Sequence, residues 1–339
     1  MASPNVLFVT SEMYPLAHTG GLGDVSAALP AALGELGVDV RVMLPMYPSV
    51  RDRALRKGRP VALPPVYGIE AAAIVSARAP GTDVPVLLID SPALFDRSGG
   101  PYADETGTPW PDNAARFAAL SHAAAAVAGP SSPIAWAPGL LHANDWQTGL
   151  AIALLATRRG GRPPTVFSIH NLTFLGLVGR AEFSSLGLPA TAFDVHGVEF
   201  YGDVSLMKAG ISYADRVTTV SPTYAREIQT REFGAGLDGL LAERSADLTG
   251  ILNGVDYKRW DPSADQHIVE RYSALSLIGK NACKAALQRE LGLDVHADAF
   301  LLGSVSRLTT QKGLDLLVRA LPRTLDAKTQ IALLGSGDP

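Results

Sequence analysis

Polar side chains that could bind a substrate follow two of the short apolar segments of this 339-residue chain. Asp145 lies at the end of one segment, and His170 and Asn171 end another. Open α/β sheets bind ligands at the carboxyl ends of their strands, so these residues are candidate site residues. The simpler alternatives are that Asp145 caps the following helix and that His170 is structural.

A glycine-rich segment, residues 18–24, is a second candidate for ligand binding. Gly20 and Gly21 precede a helical pattern, and the N–H groups at a helix N-terminus can bind a phosphate. The spacing only partly matches the dinucleotide fingerprint G-x-G-x-x-G, and it follows the first strand too late for a tight turn. The alternative is a flexible entry to a helix, with Asp24 balancing the helix dipole.

Two cations, Arg307 and Lys312, lie between a strand pattern and a helix pattern, with no acidic residue between them. Arginine as a planar fork and lysine as a point charge can together neutralise a diphosphate. Two solvated loop cations would give the same pattern, so charge alone leaves both interpretations open.

The elements that must position these residues alternate between apolar strands and amphipathic helices. Apolar segments without polar alternation are typical of parallel strands covered on both faces. The pattern predicts a doubly wound α/β domain with right-handed crossovers between parallel strands. The predicted strands are 6–9, 38–44, 72–77, 84–89, 140–143, 165–169 and 217–220, and the predicted helices are 21–36, 112–127, 147–158, 204–214 and 222–230.

The pattern changes after residue 250. Residues 1–250 form the predicted N-terminal domain, and residues 251–339 a linker with the opening strand–helix–strand of a second α/β domain. In that part we expect helices at 281–291 and 312–325 and strands at 300–305 and 330–334. Because two strands with one crossover do not make an independent sheet, we expect the second domain to be incomplete.

The composition excludes several classes of function. Hydrophobic residues make up 47% of the chain and charged residues 18%, and the net charge is −4. Scattered cations argue against nucleic-acid and membrane partners. The single cysteine, Cys283, and the absence of a secretory pattern favour the cytoplasm. We find no Walker A loop, zinc-ligand cluster or G-x-S-x-G elbow.

Several motifs, in the same order, resemble the glycogen and starch synthase family, and the resemblance covers essentially the whole chain. They are residues 11–15 (SEMYP), 19–25 (TGGLGDV), 170–172 (HNL), 206–210 (LMKAG), 214–215 (AD), 220–225 (VSPTYA), 253–256 (NGVD) and 306–313 (SRLTTQKG).

The resemblance implies a GT-B fold of two Rossmann-like domains, with the second incomplete here. It implies retaining transfer of glucose from ADP-glucose to the non-reducing end of an α-1,4-glucan, without a metal or organic cofactor. The residues that match catalytic positions are His170, Asp145, Arg307 and Lys312. Those that match positions binding ADP-glucose or glucan are His18, Gly20, Gly21, Asp24, Asn171, Asn253 and Gly335.

The chain departs from the family pattern in two places. His18 replaces the usual lysine, and a histidine is shorter and largely neutral at pH 7. The family also continues past the position of Pro339 into a loop that carries an active-site glutamate. We therefore expect residues 1–339 alone to be inactive.

Three alternatives stay open. The glycine loop alone suggests an NAD-dependent oxidoreductase. A non-catalytic glucan-binding fragment would need only the N-terminal domain. A transferase that prefers UDP-glucose would have the same fold.

Overall fold

We describe a computed structural model of the chain, which covers residues 5–56, 58–65, 72–326, 328–335 and 337. The chain forms two compact units, Met1–Gly254 and Val255–Pro339. Ser336, Asp338 and Pro339 of the predicted terminal turn lie outside the described residues, as do the first four residues. In the described part of the chain, no helix has the length and apolar character needed to cross a membrane.

The first unit contains one large sheet and one small sheet. The strands of the large sheet are β1 (Asn5–Val9), β2 (Asp39–Pro45), β3 (Leu55–Arg56), β4 (Val61–Leu63), β5 (Ala72–Arg78), β6 (Pro85–Asp90), β7 (Leu140–Asn144), β8 (Thr165–Ile169), β12 (Arg216–Thr219) and β13 (Leu248–Gly250). The small antiparallel sheet consists of β9 (Leu177–Val178), β10 (Glu199–Phe200) and β11 (Asp203–Ser205), in the order β10-β11-β9.

Helices connect these strands. They are α1 (Gly21–Glu35), α2 (Pro48–Arg53), α3 (Pro92–Phe95), α4 (Asn113–Val127), α5 (Trp146–Thr157), α6 (Leu206–Tyr213), α7 (Pro222–Glu227) and α8 (Asp238–Glu243). Two 3-10 helices, Arg180–Leu186 and Ala190–Ala192, lie between β9 and β10.

The strand order places a topological switch point between β1 and β7. The large sheet has the order β13-β12-β8-β7-β1-β2-β6-β5-β3, with β4 also paired to β5. The β1–α1–β2 and β7–α5–β8 connections lead away from this point in opposite directions, so right-handed crossovers put α1 and α5 on opposite faces. Ligands of doubly wound sheets bind at such a point, outside the carboxyl ends of the strands.

The predicted helices and strands are confirmed to within a few residues, but one pairing differs. Strand β5 pairs antiparallel with β6, where we expected parallel strands. The connection, residues 79–84, is too short for a crossover, which needs a dozen or more residues, so the two strands form a hairpin. Strands β3, β4 and β13 are short and were not predicted.

The core of the first unit is the apolar interior of the sheet and the helices packed on it. Leu7, Phe8 and Val9 of β1 are fully buried, as the unbroken apolar segment predicts. Helices α5 and α6 approach closely because α5 carries Gly149 at their contact. A Cβ at Gly149 would overlap the carbonyl oxygen of Leu206 and lie 3.1 Å from the amide nitrogen of Gly210.

The second unit contains α9 (Ile278–Glu290), β14 (Phe300–Val305), a 3-10 turn (Thr310–Lys312), α10 (Leu314–Thr324) and β15 (Thr329–Leu334). Strands β14 and β15 pair in parallel along their whole length. The predicted helix at 312–325 begins two residues late, because Gly313 has a left-handed conformation (φ 71°) and separates the 3-10 turn from α10.

Candidate active site

Asp145 lies directly after β7, beside the switch point. Its side chain does not cap α5, although the residue occupies the N-cap position. Instead, one carboxylate oxygen accepts hydrogen bonds from the backbone N–H groups of His170 (2.7 Å) and Asn171 (3.3 Å). The carboxylate therefore joins the ends of the neighbouring strands β7 and β8, as predicted from their shared edge.

Two features set Asp145 apart from an ordinary aspartate. Its backbone has φ 56° and ψ 178°, a region almost confined to glycine. It is also buried, and burial raises the pKa of its carboxyl to about 7, although the two N–H donors act in the opposite direction. A strained, buried acid at the carboxyl edge of a sheet indicates a functional role more strongly than a capping role.

The hydrogen bonds around His170 determine its tautomer. The Asn144 side-chain N–H₂ donates to the Val9 carbonyl (3.0 Å), so the Asn144 amide oxygen faces Nε2 of His170 at 3.0 Å. Because that oxygen only accepts, Nε2 must carry the proton. Burial lowers the pKa of His170 to about 4, so the imidazole is neutral at pH 7 and its Nδ1 is an acceptor.

The loop after His170 is held by a hydrogen bond to helix α7 and by one within the loop. The Leu172 N–H donates to the hydroxyl of Tyr224 in α7 (3.1 Å), and the Asn171 side-chain oxygen accepts from the Thr173 N–H (3.1 Å). Ser221 caps α7 by accepting from the Tyr224 N–H (2.9 Å). The motif at 220–225 therefore supports the motif at 170–172.

Glu12 holds the glycine-rich loop after β1. This buried carboxylate accepts from the Thr19 N–H and hydroxyl, both at 2.6 Å, and from the Tyr102 hydroxyl at 2.5 Å. Burial, and then the nearby Glu12 charge, raise the pKa of Tyr102. Its phenol therefore stays protonated and keeps donating to Glu12 at neutral pH.

The loop presents the N-terminus of α1 without obstruction. Gly20 is the N-cap and Gly21 the first helical residue, and a Cβ at either would meet nothing within 4 Å. The first N–H groups of a helix have no partner within the helix, so this end can approach an anion. His18 and Asp24 flank it, with His18 Nε2 3.3 Å from an Asp24 carboxylate oxygen.

In the second unit, Arg307 follows β14 and Lys312 ends the 3-10 turn. Both are exposed, and within the residues that the structure describes neither forms an ion pair. Gly335 follows β15 and touches the same loop, since a Cβ there would overlap the carbonyl oxygen of Ser306. Arg307 and Gly335 thus lie at the carboxyl edge of this two-stranded sheet.

The structure brings only part of the predicted set together. In the first unit it joins Asp145, His170 and Asn171 by hydrogen bonds, and it pairs His18 with Asp24 next to Gly20 and Gly21. Asn253 is an exposed loop residue after β13. Arg307, Lys312 and Gly335 belong to the second unit. Among the described residues, no group of three or more side chains is arranged to hold a metal ion.

Three residues with direct roles in this arrangement were not predicted. Glu12 and Asn144 were visible as polar residues at the ends of apolar strands, the same signal that selected Asp145. Tyr102 lies in an irregular segment, and only its contact with Glu12, distant in sequence, reveals its role.

The chain is similar to known proteins over nearly its full length. The starch synthase catalytic domain model matches residues 5–243. The glycogen synthase of Paramagnetospirillum magneticum is 51% identical over 98% of this chain and 68% of that protein, and the glycogen synthase of Nitrosomonas europaea is 48% identical over 99% and 68%. The catalytic domain of starch synthase IV from Arabidopsis thaliana, bound to ADP and acarbose, is 32% identical with a TM-score of 0.87, over 99% of this chain and 69% of that one.

These similarities favour the glycosyltransferase interpretation of the glycine-rich loop over the oxidoreductase one. They agree with the α/β fold. The chain belongs to the glycogen and starch synthase family, a family of GT-B hexosyltransferases.

Proposed function

We propose that this member of the family transfers glucose from ADP-glucose to the non-reducing end of an α-1,4-glucan, with retention at the anomeric carbon. The observation that carries the proposal is the Asn144–His170–Asp145 arrangement at the switch point, beside an open helix N-terminus. It combines hydrogen-bonding groups suited to a sugar with a site suited to a phosphate.

In this proposal, the cations Arg307 and Lys312 of the second unit neutralise the diphosphate of the donor. The backbone N–H groups at Gly20 and Gly21 of the first unit are a candidate site for an anion in their own right. Negative charge grows on the departing ADP as the bond from the glucosyl C1 breaks. Cations placed in advance stabilise that charge more in the transition state than in the ground state, so they raise the rate of the chemical step. Gly335 keeps the loop after β15 close to the loop of Arg307.

The glucosyl unit binds the residues after β7 and β8. His170, neutral and protonated on Nε2, offers Nδ1 to a sugar hydroxyl. Asp145 keeps the His170–Asn171 backbone in place and adds a carboxyl that titrates near neutral pH. Asn171 and Asn253 supply amide groups for further hydroxyls, and His18 with Asp24 borders the phosphate side.

The proposal assigns the two parts of the chain different tasks. Residues 1–250 bind the acceptor glucan and the glucosyl unit, and residues 251–339 contribute to the binding of the nucleotide. The substrates are neutral glucan and a small nucleotide sugar, and the proposed location is the cytoplasm, where a reduced Cys283 is stable.

Isothermal titration with ADP-glucose and UDP-glucose tests the donor assignment. We expect ADP-glucose to bind, and H170A to weaken binding about tenfold by removing a sugar contact, the equivalent of about 1.4 kcal/mol. The matched control is H196A, because His196 is an exposed histidine of the first unit, and this variant should leave binding unchanged. Tighter binding of UDP-glucose would contradict the donor assignment, and equal binding by H170A would contradict the role of His170.

A further inference from the structure

A small cavity of the first unit lies between the segment before α2, helices α3 and α4, and the loop at residues 96–110. Its volume is about 90 Å³, which is room for more than one water molecule but far below the roughly 300–1,000 Å³ of sites for drug-sized ligands. Tyr47, Trp110 and Arg116 line it, and so do Ser98, Gly99 and Gly100, which are exposed and give solvent access. None of the residues that line it belongs to the candidate active site.

Arg116 of α4 brings a buried positive charge to this cavity, since it is only 1% exposed. Its Nε donates to the Leu94 carbonyl (2.8 Å), and its Nη1 donates to the Pro101 carbonyl (2.8 Å) and the Asn113 side-chain oxygen (2.7 Å). All three acceptors are neutral. They use three of the five N–H groups of the guanidinium, and the two on Nη2 have no acceptor among the described residues.

The charge of Arg116 is not neutralised by a carboxylate. In the described part of the chain, the one acid whose charge acts on it is Asp112, and Arg97 already binds both oxygens of Asp112, at 2.6 and 2.8 Å. The rings around the guanidinium are those of Tyr47, Phe95, Trp110 and Phe117, with centroids 5.5–5.9 Å from its Cζ. Aromatic faces attract a cation but carry no net charge, and a buried charge is normally paired with an opposite one.

Tyr47 supplies a second donor without a partner. The residue is 4% exposed and lines the cavity, and its buried hydroxyl has no hydrogen-bond partner among the described residues. Burial raises the pKa of the phenol, so the hydroxyl keeps its proton at neutral pH. Because a buried polar group without a hydrogen bond destabilises the folded state, an acceptor in the cavity would stabilise the protein.

We propose that this cavity binds a small tetrahedral oxyanion, of the class of inorganic phosphate, between the guanidinium of Arg116 and the hydroxyl of Tyr47. A guanidinium and a phenol donate to separate oxygens of such an ion, and its charge neutralises that of Arg116. A neutral sugar would leave the charge unpaired, and a nucleotide is too large for the cavity. The inference is independent of the proposed transfer reaction.

Isothermal titration of the full chain with sodium phosphate tests the site, at an ionic strength held constant with sodium chloride. We expect saturable binding to wild type, about fivefold weaker binding to Y47F, which loses one hydrogen bond, and no detectable binding at this site in R116M. Y213F is the matched control, because Tyr213 is a partly buried tyrosine of the same unit that does not line the cavity, and its affinity should equal that of wild type. R307A should also keep the wild-type affinity, which separates this site from the cation proposed to bind the donor diphosphate.

Thermal unfolding without phosphate keeps the test valid if R116M folds poorly. Y47F should melt at the wild-type temperature or above it, because it removes an unpartnered hydroxyl and keeps the ring. Phosphate affinity of Y47F equal to that of wild type would overturn the site. So would the absence of phosphate binding to wild type, which would leave water as the occupant, and a loss of binding in R307A instead of Y47F, which would assign the phosphate to the second unit.

Discussion

Asp145 concentrates three unfavourable features in one residue: a left-handed backbone, burial and a carboxyl of raised pKa. A residue in such a φ/ψ region costs about 1–3 kcal/mol of stability, and the surrounding structure must hold it there. The two N–H groups of His170 and Asn171 do so. The molecule thus gives up stability to hold a carboxyl at the switch point, where the proposed substrate binds.

The first prediction concerns the stability of the D145N variant as pH changes. In the unfolded chain the Asp145 carboxyl loses its proton near pH 4, but in the folded chain only near pH 7. Between these values the folded state binds more protons, so wild-type stability falls as pH rises, by on the order of 4 kcal/mol in total. Asparagine can accept the same N–H bonds without titrating.

Urea unfolding of wild type and D145N from pH 4.5 to 8 measures this effect. We expect the unfolding free energy of D145N to rise relative to wild type as pH increases. Parallel curves across this range would show that Asp145 keeps an ordinary pKa in the folded protein.

The second prediction concerns His18, which stands where the family has lysine. Lysine at this position carries a full charge beside the helix N-terminus of Gly20 and Gly21, so H18K should bind ADP-glucose a few-fold more tightly than wild type in isothermal titration. An affinity for ADP-glucose that is the same in wild type and H18K would remove His18 from the phosphate site.

At the scale of elements, the close contact of α5 and α6 depends on Gly149, which the sequence analysis did not single out. Gly149 faces the carbonyl of Leu206, whereas Gly210 of α6 faces the ring of Phe167 in β8. The start of α6 in turn holds the loop between β8 and β9, because the N–H groups of Leu206 and Met207 donate to the carbonyls of Gly176 and Leu175.

The third prediction is that G149A destabilises the protein by about 1–3 kcal/mol, because the new methyl group would overlap backbone that cannot move alone. The matched control is G34A. Gly34 also lies in a helix, but a Cβ there meets nothing within 4 Å, so alanine should stabilise by up to about 1 kcal/mol through its higher helix propensity. The melting temperatures of G149A and G34A, measured by thermal unfolding, test this difference. Equal melting temperatures would contradict the packing argument.

The elements that were predicted best are those whose own residues show a clear apolar pattern. Strand β1 is an unbroken buried segment, and α1 has leucines at helical spacing. Strand β3 has only two residues, both exposed, so no local apolar pattern marks it. Among site residues, Asp145 and His170 were predicted because they end strands, whereas Tyr102 joins the site only through a contact distant in sequence.

At the scale of the whole molecule, the proposed function gives each of the two α/β units a part in one reaction. We propose that the first unit binds the sugar at its switch point and that the second, in which Arg307 and Lys312 lie between β14 and α10, binds the nucleotide. Similarity to glycogen synthases over 98–99% of the chain includes both units.

The most direct test is the transfer of radiolabelled glucose from ADP-glucose to glycogen, measured for wild type and H170A of a protein that carries these residues. We predict incorporation by wild type and a loss of at least about 100-fold in H170A, with unchanged melting temperature, because a transition-state contact worth about 2.7 kcal/mol corresponds to that factor. Equal incorporation by the two proteins, or none by wild type, would contradict the central claim that the carboxyl edge of the first sheet is the site of glucosyl transfer.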